Sequence, residues 1–166
     1  MRKVLFIWAM AGVILCACSS GKEKAREAAL RHMKTTAGMT DSMKIMFWSP
    51  VDSAYGTKYL SESDRDTLAR AMSDVSAILK KGAERMKASG KPDSYVISLA
   101  QRQMAGTARV GNIMAEEKPK GEFSGWKFHV NYESFRASHG KYRAQRWYYV
   151  DRDGQSIIQY FEIPLP

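Results

Sequence analysis

This chain of 166 residues has only two cysteines, Cys16 and Cys18. Both precede residue 19, so the rest of the chain can form no internal disulfide and must be held by its core alone. Histidine is nearly as scarce. His32, His129 and His139 stand apart, without a His-x-x-x-His pair or a cysteine partner, so the common zinc signatures are excluded and no metal site is expected. A Gly-x-Ser-x-Gly elbow and a Gly-rich phosphate loop are both missing. Asp151-Arg152-Asp153-Gly154 imitates the opening of a calcium loop but lacks the downstream ligands and the closing Glu, so it reads as a turn. No charge-free apolar run reaches the roughly 20 residues of a spanning helix; Val4 to Leu15 falls short.

That short run has a recognisable setting. Arg2 and Lys3 precede it, and Leu15-Cys16-Ala17-Cys18 closes it, followed by Ser19, Ser20 and Gly21. A basic start, an apolar middle and small residues at the end are the layout of a secretory signal. The closing stretch resembles the lipobox of bacterial lipoproteins: Leu15 three positions before the acceptor, Cys16 in the middle, Ala17 just before, and Cys18 as the acceptor. The resemblance implies a signal peptide over 1–17 and a mature chain beginning at Cys18, with a covalent lipid on Cys18 and no other cofactor. Several acyl chains hold a protein firmly where one holds it marginally, since each buried methylene adds about 0.8 kcal/mol. The expected location is therefore the bacterial cell envelope. Ser19 in place of Asp favours the outer membrane, on its periplasmic leaflet.

Removing residues 1–17 of 166 leaves 149, the size of one domain with a real core. The net charge of +9 falls to +7 once Arg2 and Lys3 are gone. In an exported protein this excess does not point to nucleic acid, and none is expected as a partner. The anions within reach are lipid head groups, acidic glycans and peptidoglycan carboxylates. A solvated surface is the plainer explanation of the same charge.

The expected organisation is a short tether over 18–24 and a single domain over 25–166. Glu23 to Lys34 has an alanine-rich apolar face and reads as a helix ended by Gly38. Met43 to Val51 is an apolar patch broken by Pro50, expected as a loop that tucks Phe47 and Trp48 into the core, with a turn over 52–56. Ser61 to Ser89 is the clearest helix: Ser61 and Asp64 suit N-cap and N3, Leu68, Met72, Val75, Leu79 and Met86 form one stripe, and Gly90 and Pro92 close it. From Asp93 a second helix is expected, with helix or strand left open over 107–117.

From Phe123 the period becomes two. Trp126, Phe128, Val130 and Tyr132 alternate with Lys127, His129, Asn131 and Glu133. Ser138-His139-Gly140 turns the chain, Tyr142 to Val150 forms the next strand, Asp151–Gly154 makes an Asp-Gly hairpin, and Ile157 to Ile163 forms the last. The expected fold is α+β, with N-terminal helices packed on one face of a C-terminal antiparallel meander of three to four strands. The run Lys118 to Tyr132 with the two strands around Asp151–Gly154, together with Ser49-Pro-Val-Asp-Ser-Ala-Tyr-Gly, resembles small lipoproteins of Bacteroidetes-type bacteria. That resemblance implies a cystatin-like or NTF2-like architecture and carries no catalytic residue.

Between Lys118 and Arg152, eight Lys and Arg face three acids, with Trp and Tyr interleaved. Arg and aromatic rings together stack on sugars and pair with anions. The candidate binding face comprises Trp126, Lys127, His129, Arg143, Arg146, Trp147 and Tyr149; a solvated basic face is the alternative. Asp41-Ser42-Met43, Asp52-Ser53-Ala54 and Asp66-Thr67-Leu68 resemble the O-glycan acceptor pattern of exported Bacteroidetes proteins, with Ser53 the best placed. The expected function is a non-enzymatic binding or accessory domain on a membrane anchor, its partner an acidic glycan, a peptide or an envelope complex. An enzyme using His129 with Glu133 or Tyr132, and a structural subunit marked by an exposed Phe47-Trp48 patch, are the alternatives.

Overall fold

The computed structural model describes residues 21–36, 43–136 and 140–166. The signal segment, Cys18, Gly38, the Asp41-Ser42 pair and the Ser138-His139 turn lie outside these residues. Among the described residues, three helices and five strands follow in the order α1 (Gly21–Thr36), β1 (Lys44–Trp48), β2 (Asp52–Ala54), α2 (Glu62–Ser89), α3 (Ser94–Ala115), β3 (Gly125–Arg136), β4 (Gly140–Val150) and β5 (Ile157–Leu165). The fold is α+β, with helices packed against a C-terminal antiparallel sheet.

The sheet runs β1-β3-β4-β5, and β2 also pairs with β3. β1 and β2 share one edge: β1 pairs with 130–133, β2 with 125–127. Residues 44–48 are thus a strand, not the expected loop. Two features hide it in the sequence: a register shift between Ile45 and Phe47 breaks the alternation, and Pro50 follows closely. Trp48 packs on the core, but Phe47 is 49% exposed. Proline is tolerated on an edge strand, and β5 runs through Pro164, opposite Ala144.

Helices cover both faces of the sheet. Phe128, Val130 and Tyr132 of β3 and Ala144, Tyr148 and Val150 of β4 pack with Ala25, Ala29 and Met33 of α1. Trp147 and Tyr149 of β4 and Phe161 and Ile163 of β5 pack with Leu68 and Ala71 of α2 and Val110 and Ile113 of α3. Neighbouring strand residues point to opposite faces, so aromatic side chains of both parities are buried. This is why Tyr142 to Val150 reads as aromatic on both sides.

α1 starts at Gly21 and so takes in residues read from the sequence as tether. α2 has the expected capping box: Asp64 N–H donates to the Ser61 hydroxyl at 3.3 Å, and the Asp64 carboxylate accepts from Ser61 N–H at 2.7 Å. Gly90, with φ +65°, ends it in the left-handed conformation. α3 is one helix throughout, capped by Asp93, which settles residues 107–115 as helical. Gly82 of α2 faces Val96 of α3; a Cβ there would come within 2.6 Å of the valine methyl, so the helices cross at contact distance.

Candidate functional site

The register pairs His129 with Trp147 and Lys127 with Tyr149, so these four side chains share the α2/α3 face. The His129 ring lies 4.9 Å from the Trp147 ring and 5.8 Å from Phe47. Trp147 stacks on Phe161 at 5.9 Å. Four rings therefore cross the sheet from β1 to β5, and the Phe47 end of this row is open to solvent. A recessed cleft of about 230 Å³ lies at that end, lined by Phe47, Ser49, Ser63, Asp64, Thr67, Lys127, His129 and Trp147 among others. Its volume is below the roughly 300 Å³ of common ligand pockets, which limits an occupant to a small group.

Charge in the cleft is balanced. The buried Lys127 ammonium donates to the Asp64 carboxylate, which also accepts from Ser61 N–H and the Ser61 hydroxyl (2.6 Å). The Lys127 ammonium lies 5.6 Å from the Tyr59 ring centre. Asp64 stands at N3 of α2, where a helix favours negative charge. Its one carboxylate therefore caps the helix and neutralises the sheet cation. The backbone around His129 is held by Ser49: His129 N–H donates to Ser49 Oγ at 2.9 Å, and Ser49 N–H to the His129 carbonyl at 3.0 Å. Burial pushes the His129 imidazole below its ordinary value, against a smaller upward pull from Asp64. The ring is therefore neutral near pH 7, offering one donor and one acceptor. The Tyr149 hydroxyl is buried without a hydrogen-bond partner among the described residues, and burial, with Asp64 nearby, raises its ionisation well above the usual tyrosine range.

The remaining candidates lie elsewhere. Arg146 is only 6% exposed and faces α1. It donates to Glu162 at 2.9 Å, to the Tyr132 hydroxyl at 3.1 Å and to Thr36 at 3.4 Å, and it lies 5.3 and 5.5 Å from the Tyr132 and Tyr160 ring centres. Burial raises the Tyr148 phenol there to about 12, and burial together with Arg146 lowers His32. Trp126 is on that same face, at the start of β3, with Nε1 donating to the Arg152 carbonyl at 3.0 Å. Arg143 pairs with Glu133 at 3.0 Å, far along the sheet from the cleft. The structure thus brings Lys127, His129 and Trp147 together with Tyr149 beside them, and separates Trp126, Arg143 and Arg146. Asp64, Ser49 and Phe47 complete the cleft; the sequence marked Phe47 as an aromatic in an apolar patch and Asp64 as a helix cap, and neither as a neighbour of His129. His129 and Glu133 are four strand residues, about 13 Å, apart, and Tyr132 faces α1, so the suggested catalytic group is not assembled.

Ser53 is in β2, half-buried and paired with Trp126. Thr67 is in the first turns of α2 and donates to the Ser63 carbonyl at 2.8 Å. The Asp151 carboxylate accepts from Gln155 N–H at 2.7 Å and Ser156 N–H at 3.2 Å, as in a tight turn. Among the described residues, no three His, Cys, Asp or Glu cluster as a metal site would need, and no helix is long and apolar enough to cross a membrane. Comparison with known proteins found no matching family, no matching curated protein and no matching solved structure.

Proposed function

We propose that this chain is a lipid-anchored envelope lipoprotein whose domain works by binding, with the Phe47–His129 cleft as its contact site. The observation that carries the reading is the charge balance of that cleft. Lys127 is neutralised by Asp64, His129 is neutral, and an exposed aromatic ring stands at the rim. Such a surface suits a neutral group that stacks on a ring and exchanges hydrogen bonds, such as one sugar ring of a glycan or an amide side chain of a peptide. An acidic ligand, favoured by the raw count of Lys and Arg, finds less here: Lys127, Arg143 and Arg146 each already hold a carboxylate. The resemblance of Leu15–Cys18 to a lipobox supports the envelope location, and the separation of His129, Glu133 and Tyr132 supports binding over catalysis.

Titrating isotope-labelled protein with neutral envelope glycans and short peptides tests this. Shifts confined to Phe47, Ser49, His129 and Trp147, and abolished in Phe47→Ala, are expected. A response of the whole panel that bypasses these residues, or none at all, overturns it. A second reading, an accessory subunit of an envelope complex, draws on Met46 and Phe47, adjacent and each about half exposed on the edge strand β1. Cross-linking from Met46 in native membranes to one protein partner would favour it.

A further inference from the structure

The domain begins almost at the acceptor cysteine. Gly21 is the first residue of α1, three positions beyond Cys18, a span of at most about 11 Å. Gly21 is not free to swing away. A Cβ on it would meet Trp126 Nε1 at 2.8 Å, and its carbonyl lies against Gly154 in the β4–β5 turn. A lipid on Cys18 therefore holds this end of the sheet within reach of the head groups, which add about 5–7 Å to each side of the hydrocarbon.

What lies there has a common chemistry. The Lys22 ammonium sits 5.8 Å from the Trp126 ring centre, Phe123 meets Trp126 edge-on at 5.2 Å, and the Arg152 guanidinium lies 6.0 Å from Phe123. Lys24 lies beside Gly154. Lys22, Lys24 and Arg152 form no ion pair among the described residues, unlike Lys127, Arg143 and Arg146 of the sheet. Glu23, Glu122 and Asp153 share this end and temper its charge, so the patch is moderately basic. Aromatic rings with amphipathic Lys and Arg are the side chains that favour a membrane interface, and basic residues near an acyl chain add to its hold on anionic lipid.

We propose that the end of the domain formed by the first turn of α1, Trp126 and the β4–β5 turn lies against anionic phospholipid head groups, with Lys22, Lys24 and Arg152 contacting lipid phosphates. This rests on the lipoprotein reading above. It fixes an orientation: α1 rises from the bilayer, and the crossing of α2 with α3 at Gly82 and Val96 stands away from it.

The test uses the acylated mature protein in vesicles. Its only native cysteine is Cys18, so one introduced thiol is labelled cleanly. A nitroxide on Asp153→Cys is compared with one on Met104→Cys, a site 74% exposed on α3. With phosphatidylglycerol present, the residue 153 label is expected to be several-fold better shielded from an aqueous relaxation agent than the residue 104 label. That shielding is expected to be lost in Lys22→Gln/Lys24→Gln/Arg152→Gln and in phosphatidylcholine alone. Equal accessibility at 153 and 104 in protein whose mass confirms acylation overturns the proposal and leaves the anchor intact. Shielding that survives both the triple variant and phosphatidylcholine overturns the phosphate contacts. An unacylated Cys18 overturns the reading beneath the proposal, and the proposal with it.

Discussion

Asp64 and Lys127 are 63 residues apart in the chain, yet one carboxylate of the pair caps α2 and neutralises the only buried lysine among the described residues. The two partners are not equivalent. Without Lys127, Asp64 still holds Ser61 N–H and Oγ at a helix N-terminus. Without Asp64, Lys127 keeps a buried charge with only the Tyr59 ring beside it.

The asymmetry is measurable. Asp64→Asn is expected to cost about 3–5 kcal/mol, the usual loss on stranding one member of a buried pair. Lys127→Met should cost about half of that or less, because the cap survives. Adding Lys127→Met to Asp64→Asn should then recover much of the loss. Denaturant unfolding of the four proteins checks this; equal costs that simply add would show that the pair is not coupled.

Two helical glycines should respond in opposite directions. Alanine gains about 1 kcal/mol over glycine inside a helix. At Gly111 the added methyl meets nothing within 4 Å beyond its own stretch of helix, so Gly111→Ala should stabilise by roughly that amount. At Gly82 the methyl meets Val96 at 2.6 Å, and overpacking costs about 1–3 kcal/mol, so Gly82→Ala should destabilise or at best break even. Thermal melts of both variants decide it; a stabilised Gly82→Ala would contradict the helix crossing.

Both described histidines are held below their ordinary value of 6.5, mainly by burial. The unfolded chain then takes up protons near that value while the folded chain resists them. Stability from this source is fully present above about pH 7. It falls as pH drops through 6.5 and levels off below the folded values. His129→Gln and His32→Gln should each flatten the loss between pH 7.5 and 5.5 in urea titrations. Unchanged slopes would place the sensitivity elsewhere.

The reading of the sequence succeeded where a local pattern carries the structure. The period-two run from Trp126 to Tyr132, the Ser61–Asp64 cap and the Asp151–Gly154 turn are each written within a few neighbouring residues. It missed β1, where a register shift interrupts the alternation and Pro50 looks like a break. The candidate site was legible as far as parity allows: Lys127 and His129 share a face, and a hairpin brings Trp147 and Tyr149 onto it. Trp126 next to Lys127, and Arg146 next to Trp147, cannot point the same way. Neutralisation of the sheet cations was legible only in part: Glu133 and Glu162 stand opposite Arg143 and Arg146 through hairpin register, whereas Asp64 reaches Lys127 from a helix through tertiary packing.

The intact mass of the membrane-extracted protein tests the anchor on which the account depends. A lipid anchor at Cys18 predicts a chain that begins at Cys18 and is heavier than its polypeptide by a diacylglycerol and an amide-linked acyl group, and a Cys18→Ala variant that leaves the membrane fraction. An unmodified Cys18, with the parent and Cys18→Ala partitioning alike, would contradict it.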